Sequence, residues 1–78
     1  MAQPARYRIR VRGHLDAGAA RRLRDLSVEN TVDERGAPVA VLRGELPDQA
    51  ALIGALNALN ADHLPLLSAE FLAPGEVA

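Results

Sequence analysis

The sequence predicts an α+β fold with the element order βαββαβ. Three observations carry that reading: a strictly alternating opening segment, two stretches whose apolar residues recur every three or four positions, and a Gly-containing turn between two strand-like runs. Alternation describes a strand with two distinct faces, whereas the longer period describes a helix with one apolar stripe.

The opening run Arg6-Tyr7-Arg8-Ile9-Arg10-Val11-Arg12 places Tyr7, Ile9 and Val11 on one face and guanidinium groups on the other, so strand, polarity and register are all set before Gly13 ends it. His14-Leu15-Asp16 leads into a short helix, with Asp16 positioned to cap the amides of Gly18 and Ala19. Leu15, Ala19, Leu23 and Leu26 form its apolar stripe, and it is expected to close near Asp25. Leu26 to Asp33 alternates again as a second strand. Asp33-Glu34-Arg35-Gly36 is a hairpin loop with Gly36 left-handed, and it feeds the third strand, antiparallel to the second, through Pro38. Val39-Ala40-Val41-Leu42 is apolar at successive positions, the mark of a central strand with an apolar residue on both faces. Which alternate pair faces the helices, Ala40 and Leu42 or Val39 and Val41, stays open at this level.

Leu46-Pro47-Asp48-Gln49-Ala50 reads as a helix start, with Leu52, Ile53, Leu56 and Leu59 following at helical spacing, and the helix ends between Asn60 and His63 because Leu64-Pro65 cannot continue it. Leu66 to Leu72 is the fourth strand. With right-handed crossovers, this order gives a four-stranded antiparallel sheet, spatial order 4-1-3-2, with both helices on one face: the ferredoxin-like architecture. The expected core takes Tyr7, Ile9, Val11, Val28, Val32, Leu67, Ala69 and Phe71 from the sheet and Ala19, Leu23, Leu52, Leu56 and Leu59 from the helices. The chain is read as one domain over 1–78, with its core at about 6–72 and flexible ends at 1–5 and 73–78.

With 78 residues, the chain supports one core that buries only ~60% of the unfolded surface. There is no cysteine, so neither a disulfide nor a thiolate metal site can reinforce that core, and self-association becomes an expected aid. Met1-Ala2-Gln3-Pro4 opens no secretory signal and no apolar run approaches a membrane span, which leads to the expectation of a cytoplasmic protein without a membrane partner. All nine basic residues are Arg, in keeping with the coding bias of a GC-rich bacterial genome, and a net charge of −1 gives no long-range attraction to nucleic acid. One Tyr and one Phe also offer little for base stacking.

Thiol and lysine Schiff-base catalysis are excluded by composition, and His14, His63, Ser27 and Ser68 form no triad pattern, so no catalytic residue, metal site or cofactor is assigned. Two surfaces remain. The corner formed by Gly13, His14, Asp16 and Gly18, at the junction of first strand and first helix, is the candidate ligand site, because free amides there can receive an anion or carboxylate. The face away from the helices carries Arg8, Arg10 and Arg12, Glu29 and Thr31, and Ser68 and Glu70, with Leu66 and Leu72 at the ends of the fourth strand on the same side. Cross-strand Arg–Glu pairing explains these charges most simply. The apolar residues among them point to a homodimer in which Arg8 or Arg10 reaches Glu29 or Glu70 of the partner.

The span from Tyr7 to Phe71 resembles a group of short, functionally unassigned bacterial proteins of ferredoxin-like type. The segments carrying the resemblance are Gly13-His14-Leu15-Asp16, Leu42-Arg43-Gly44-Glu45-Leu46-Pro47-Asp48-Gln49-Ala50-Ala51-Leu52 and Leu64-Pro65-Leu66-Leu67-Ser68. It implies a fold and transfers no catalytic residue. The element order is also similar to that of ACT regulatory domains, which bind small effectors where the first strand meets the first helix of paired subunits; Asp16-Ala17-Gly18 matches their Asp-x-Pro-Gly-like turn in part. Anti-sigma-antagonist domains have a similar Gly-x-Leu-Asp opening, but they are longer and carry a phosphorylatable serine at a helix start for which the chain has no match. The expected function is a non-enzymatic, self-associating protein-interaction module, with an ACT-like small-effector sensor as the alternative.

Overall fold

The structure, a computed structural model, describes residues 4–23 and 26–74. The elements run β1 (Ala5–Arg12), α1 (Ala17–Arg22), β2 (Ser27–Val32), β3 (Pro38–Leu46), α2 (Gln49–Ala61) and β4 (Leu66–Pro74). All sheet pairings are antiparallel, and the strands lie in the order β2-β3-β1-β4, which read from the opposite edge is 4-1-3-2. The fold class is therefore α+β, with a four-stranded sheet and two helices.

Register decides which side of each strand is buried. Ile9 stands opposite Leu42 and Val11 opposite Ala40, while Arg10 and Arg12 stand opposite Val41 and Val39. Because opposed residues share a face, Ala40 and Leu42 join Ile9 and Val11 beneath the helices, and Val39 and Val41 lie on the outer face with the arginines. The core cluster unites these four with Leu15, Ala19, Leu23 and Leu26 around α1 and with Ala55 and Leu59 of α2, so both helices cover the same side. The expected α1 stripe is buried along its whole length.

Both helices begin at an aspartate whose carboxylate accepts an otherwise unpaired amide: Asp16 from Ala19 N and Asp48 from Ala51 N, each at 2.8 Å. Asp16 caps Ala19 and has no bond to Gly18, the other amide expected of it. Helix α1 stops at Arg22, where the Leu23 amide donates to Ala20 O at 3.1 Å; Asp25, its expected end, lies outside the described residues. Helix α2 ends at Ala61 with Asp62 as its C-cap, and His63 follows with φ 59°, a left-handed turn ahead of Pro65. Gly54 faces open space in the middle of α2. Gly54→Ala is therefore expected to raise stability by about 0.5–1 kcal/mol by restricting the unfolded chain, which denaturant melts would show as a higher midpoint at unchanged slope.

The sheet runs slightly longer than expected at both ends. Ala5 is buried and pairs with Leu46 and Pro74, so it belongs to β1 and the core, and β4 continues through Ala73 and Pro74. The larger correction concerns β4. Leu67, Ala69, Phe71 and, on β2, Val32 were expected inside, yet all four are exposed, Phe71 at 61%. β4 and β2 are the two edge strands, and these four side chains stay outside the core cluster that the helices close with the inner strands.

Candidate functional site

The arginine face is built by the alternation of β1 against its two neighbours. Arg8 stands opposite Glu70 of β4 and grips it with both ends of the guanidinium: Nε donates to Oε1 at 3.2 Å, and Nη2 to Oε1 and Oε2 at 3.0 and 2.9 Å. Arg12 Nη1 donates to Asp33 Oδ2 at 2.9 Å. The expected Arg–Glu pair thus closes within one chain. Among the described residues, Arg10, Arg43 and Glu29 take part in no ion pair. Ser68 lies opposite Arg10, and its hydroxyl oxygen is buried without a partner. Thr31, opposite Val39, presents its carbonyl oxygen to His14 Nε2 at 2.6 Å.

One apolar pair of β3 was expected on this face as part of a patch for a partner to bury; the pair that lies here, Val39 and Val41, retains only 2% and 9% of its exposure. Their cross-strand neighbours are Arg10 and Arg12 on one side and Glu29 and Thr31 on the other. The aliphatic stems of arginine cover apolar surface while the charged heads stay in water. The two valines are consequently already covered within one chain. A depression lined by Arg8, Arg10, Val41, Arg43 and Glu70 is open and shallow, with charge as its main content.

Both paired acids feel their guanidinium partners. The hydrogen bond from Arg8 holds the Glu70 carboxyl below the usual range, and the same bond raises Arg8. Asp33 is lowered first by Arg12 and then by the backbone amides of Ala37 and Arg35, which it accepts in closing the β2–β3 hairpin. A carboxylate depressed in the folded state stabilises it above the unfolded pKa, and that contribution disappears as pH falls through the folded value. Stability should therefore decline on acidification below about pH 4, where free carboxyls titrate. Glu70→Gln should make that decline shallower; an identical pH profile for the variant would show that the Arg8 pair contributes nothing.

The Gly13–Gly18 corner uses most of its polar groups internally. Gly13 N donates to Pro38 O at 2.8 Å, and the Asn30 side chain clasps both backbone groups of Leu15, accepting from N at 3.0 Å and donating to O at 2.9 Å. Asp16 caps α1, and His14 reaches β2. Of the four proposed ligand residues, Gly13, His14 and Asp16 are thus committed to tying β1, β2 and α1 together. Gly18 is exposed, and a Cβ there would meet Asp16 Oδ1 at 3.4 Å. Asn30, which sequence reasoning left unassigned, is the residue that fixes this corner; a polar side chain on the helix-facing side of a strand was the available signal.

The open surface lies elsewhere. Leu66, Leu67, Phe71 and Leu72 of β4 are all exposed, as is Ile53 of α2. Phe71 is held edge-on against Tyr7, with ring centroids 6.0 Å apart. Leu66 stands opposite Val11, a core-facing position, because β4 shifts register between Arg10 and Val11, so it does not share the outer face with Ser68 and Glu70 as expected. A second shift falls between Arg6 and Tyr7, beside Leu72. No grouping of three or more metal-ligating side chains occurs among the described residues, and no helix among them is long and apolar enough to cross a membrane.

Residues 6–70 match a family described as Domain of unknown function (DUF8691). No curated protein and no solved structure matches the chain.

Proposed function

The chain belongs to that family, whose description assigns no activity, and from this premise we propose that it is a non-enzymatic, ferredoxin-like module of the bacterial cytoplasm that works by associating with itself. The observation carrying this reading is the run of exposed apolar residues on one edge strand, Leu66, Leu67, Phe71 and Leu72, in a domain with few other large apolar groups left wet. A small domain gains from burying such a surface, and an unpaired sheet edge is a ready template for another chain. The fold by itself argues for no particular chemistry. The seat of association thereby moves from the arginine face, where Arg8 and Arg12 pair within the chain and the valines are covered, to the rim beside it. An effector sensor at the Gly13–Gly18 corner has less support, since the polar groups there are already engaged.

Sedimentation velocity at micromolar concentration tests the reading directly. A dimer that dissociates on dilution, and that Phe71→Ser weakens, is the expected result. A chain that sediments as a clean monomer overturns the proposal.

A further inference from the structure

Resting on this reading of self-association, we infer that the partner is a second copy joined edge to edge: β4 pairs antiparallel with β4 of the other copy, Ala69 opposite Ala69 on the two-fold axis. The pairing makes one continuous eight-stranded sheet, twice the four strands of a single chain, with all the helices on one side.

A two-fold antiparallel pairing sets each residue a given number of places before the axis against the residue the same number after it. A segment whose apolar and polar positions mirror each other about its centre sets apolar against apolar and polar against polar in such a pairing. Leu66-Leu67-Ser68-Ala69-Glu70-Phe71-Leu72 is such a segment: two apolar residues, one polar, one small, one polar, two apolar. With Ala69 on the axis, Leu67 meets Phe71, and Leu66 and Leu72, displaced by the register shifts, flank that contact, so the large apolar residues left exposed on this strand come together at the seam. β4 is paired to β1 along one side only, which leaves the other row of amides and carbonyls available for the second copy.

The polar residues fit as well. Glu70, the single charge on β4, is set against Ser68 of the other copy, whose hydroxyl oxygen is buried without a hydrogen-bond partner among the described residues and gains one by turning toward the seam. A hydroxyl donates and a carboxylate accepts, and a carboxylate holding one guanidinium keeps lone pairs to spare. The nearest alternatives that keep the helices on one side do worse. With Glu70 on the axis, two like charges oppose each other, and with Ser68 there, Glu70 falls opposite Leu66. The register shifts at both ends of β4 confine the regular ladder to Ser68–Phe71, so the backbone seam is short and the flanking leucines complete it by side-chain packing.

The absence of cysteine makes the register directly measurable. Opposed residues of an antiparallel pair are about 4.5–5.5 Å apart at Cα, within disulfide range. Ala69→Cys, oxidised with glutathione disulfide, should therefore give a covalent dimer on the order of 100-fold faster than Arg35→Cys at the exposed hairpin, because the paired thiols are held at millimolar effective concentration in a micromolar solution. Ala69 is exposed on an edge strand, so the substitution leaves the core alone. Should Ala69→Cys nevertheless fail to fold, an equimolar mixture of Ser68→Cys and Glu70→Cys chains should cross-link to each other in preference to themselves. A wild-type chain that sediments as a dimer while neither cross-link exceeds the hairpin control overturns this register and leaves self-association standing. A wild-type monomer overturns both.

Discussion

Leu42→Ala is expected to lower folding stability by about 3 kcal/mol, the middle of the range for emptying a fully buried leucine position. Leu42 has no exposed surface, sits on an inner strand of the sheet and is flanked by Ile9 and Val28 across both neighbours. Its removal leaves a cavity that β1 and β2 cannot fill without shifting register, and register is what keeps the arginines outside. Small domains are stable by roughly 5 kcal/mol, so the variant should be largely unfolded in modest urea. Val41→Ala, one residue away but on the outer face under flexible arginine stems, should cost about 1 kcal/mol. Equal losses for the two variants would mean that the outer face is packed as firmly as the core.

Gly13→Ala should cost about 2 kcal/mol. Gly13 has φ +110°, and a Cβ there would lie 2.8 Å from Leu64 Cδ2. Backbone strain of about 1–2 kcal/mol comes with the first property, and the second forces Leu64 away from the core it packs against. Gly36→Ala separates the two: φ is +81° but nothing lies within 4 Å of the added atom, so it should carry the backbone cost alone, about 1 kcal/mol. Restoring part of the Gly13→Ala loss with Leu64→Ala would confirm the contact, judged against Leu64→Ala by itself. If Gly13→Ala proves no worse than Gly36→Ala, the close approach is relieved without cost.

Local rules were enough for most of the architecture. The alternation of Arg6 to Arg12, the Gly36 turn, the Asp16 and Asp48 caps and the two apolar stripes each involve residues within a few places of one another, and the structure forms them with one exception, Ile53 of the second stripe, which is exposed. The candidate site was less legible. Its arginine stripe and acids could be read from alternation, but whether Arg8 would find Glu70 in its own chain or in a partner depended on the offset between β1 and β4, residues 62 apart in sequence. The burial of Val39 and Val41 was likewise invisible, because it comes from long side chains on two neighbouring strands. Phe71 and Leu67 look like core residues in any pattern, since periodicity reports which face a residue occupies and is silent on whether anything covers that face.

By itself, the sequence determined the strands, the helices and their order, and the face on which each β1 side chain lies, because turn chemistry, capping and hydrophobic period are properties of neighbouring residues. Only the tertiary structure decided that Ala40 and Leu42 point inward, that Arg8 pairs with Glu70 of its own chain, and that β4 keeps an apolar rim in the open. These outcomes turn on the register of strands remote in sequence and on which positions of the sheet the core cluster covers. A hydrophobic period assigns a residue to a face, and only what packs on that face decides whether the residue is dry.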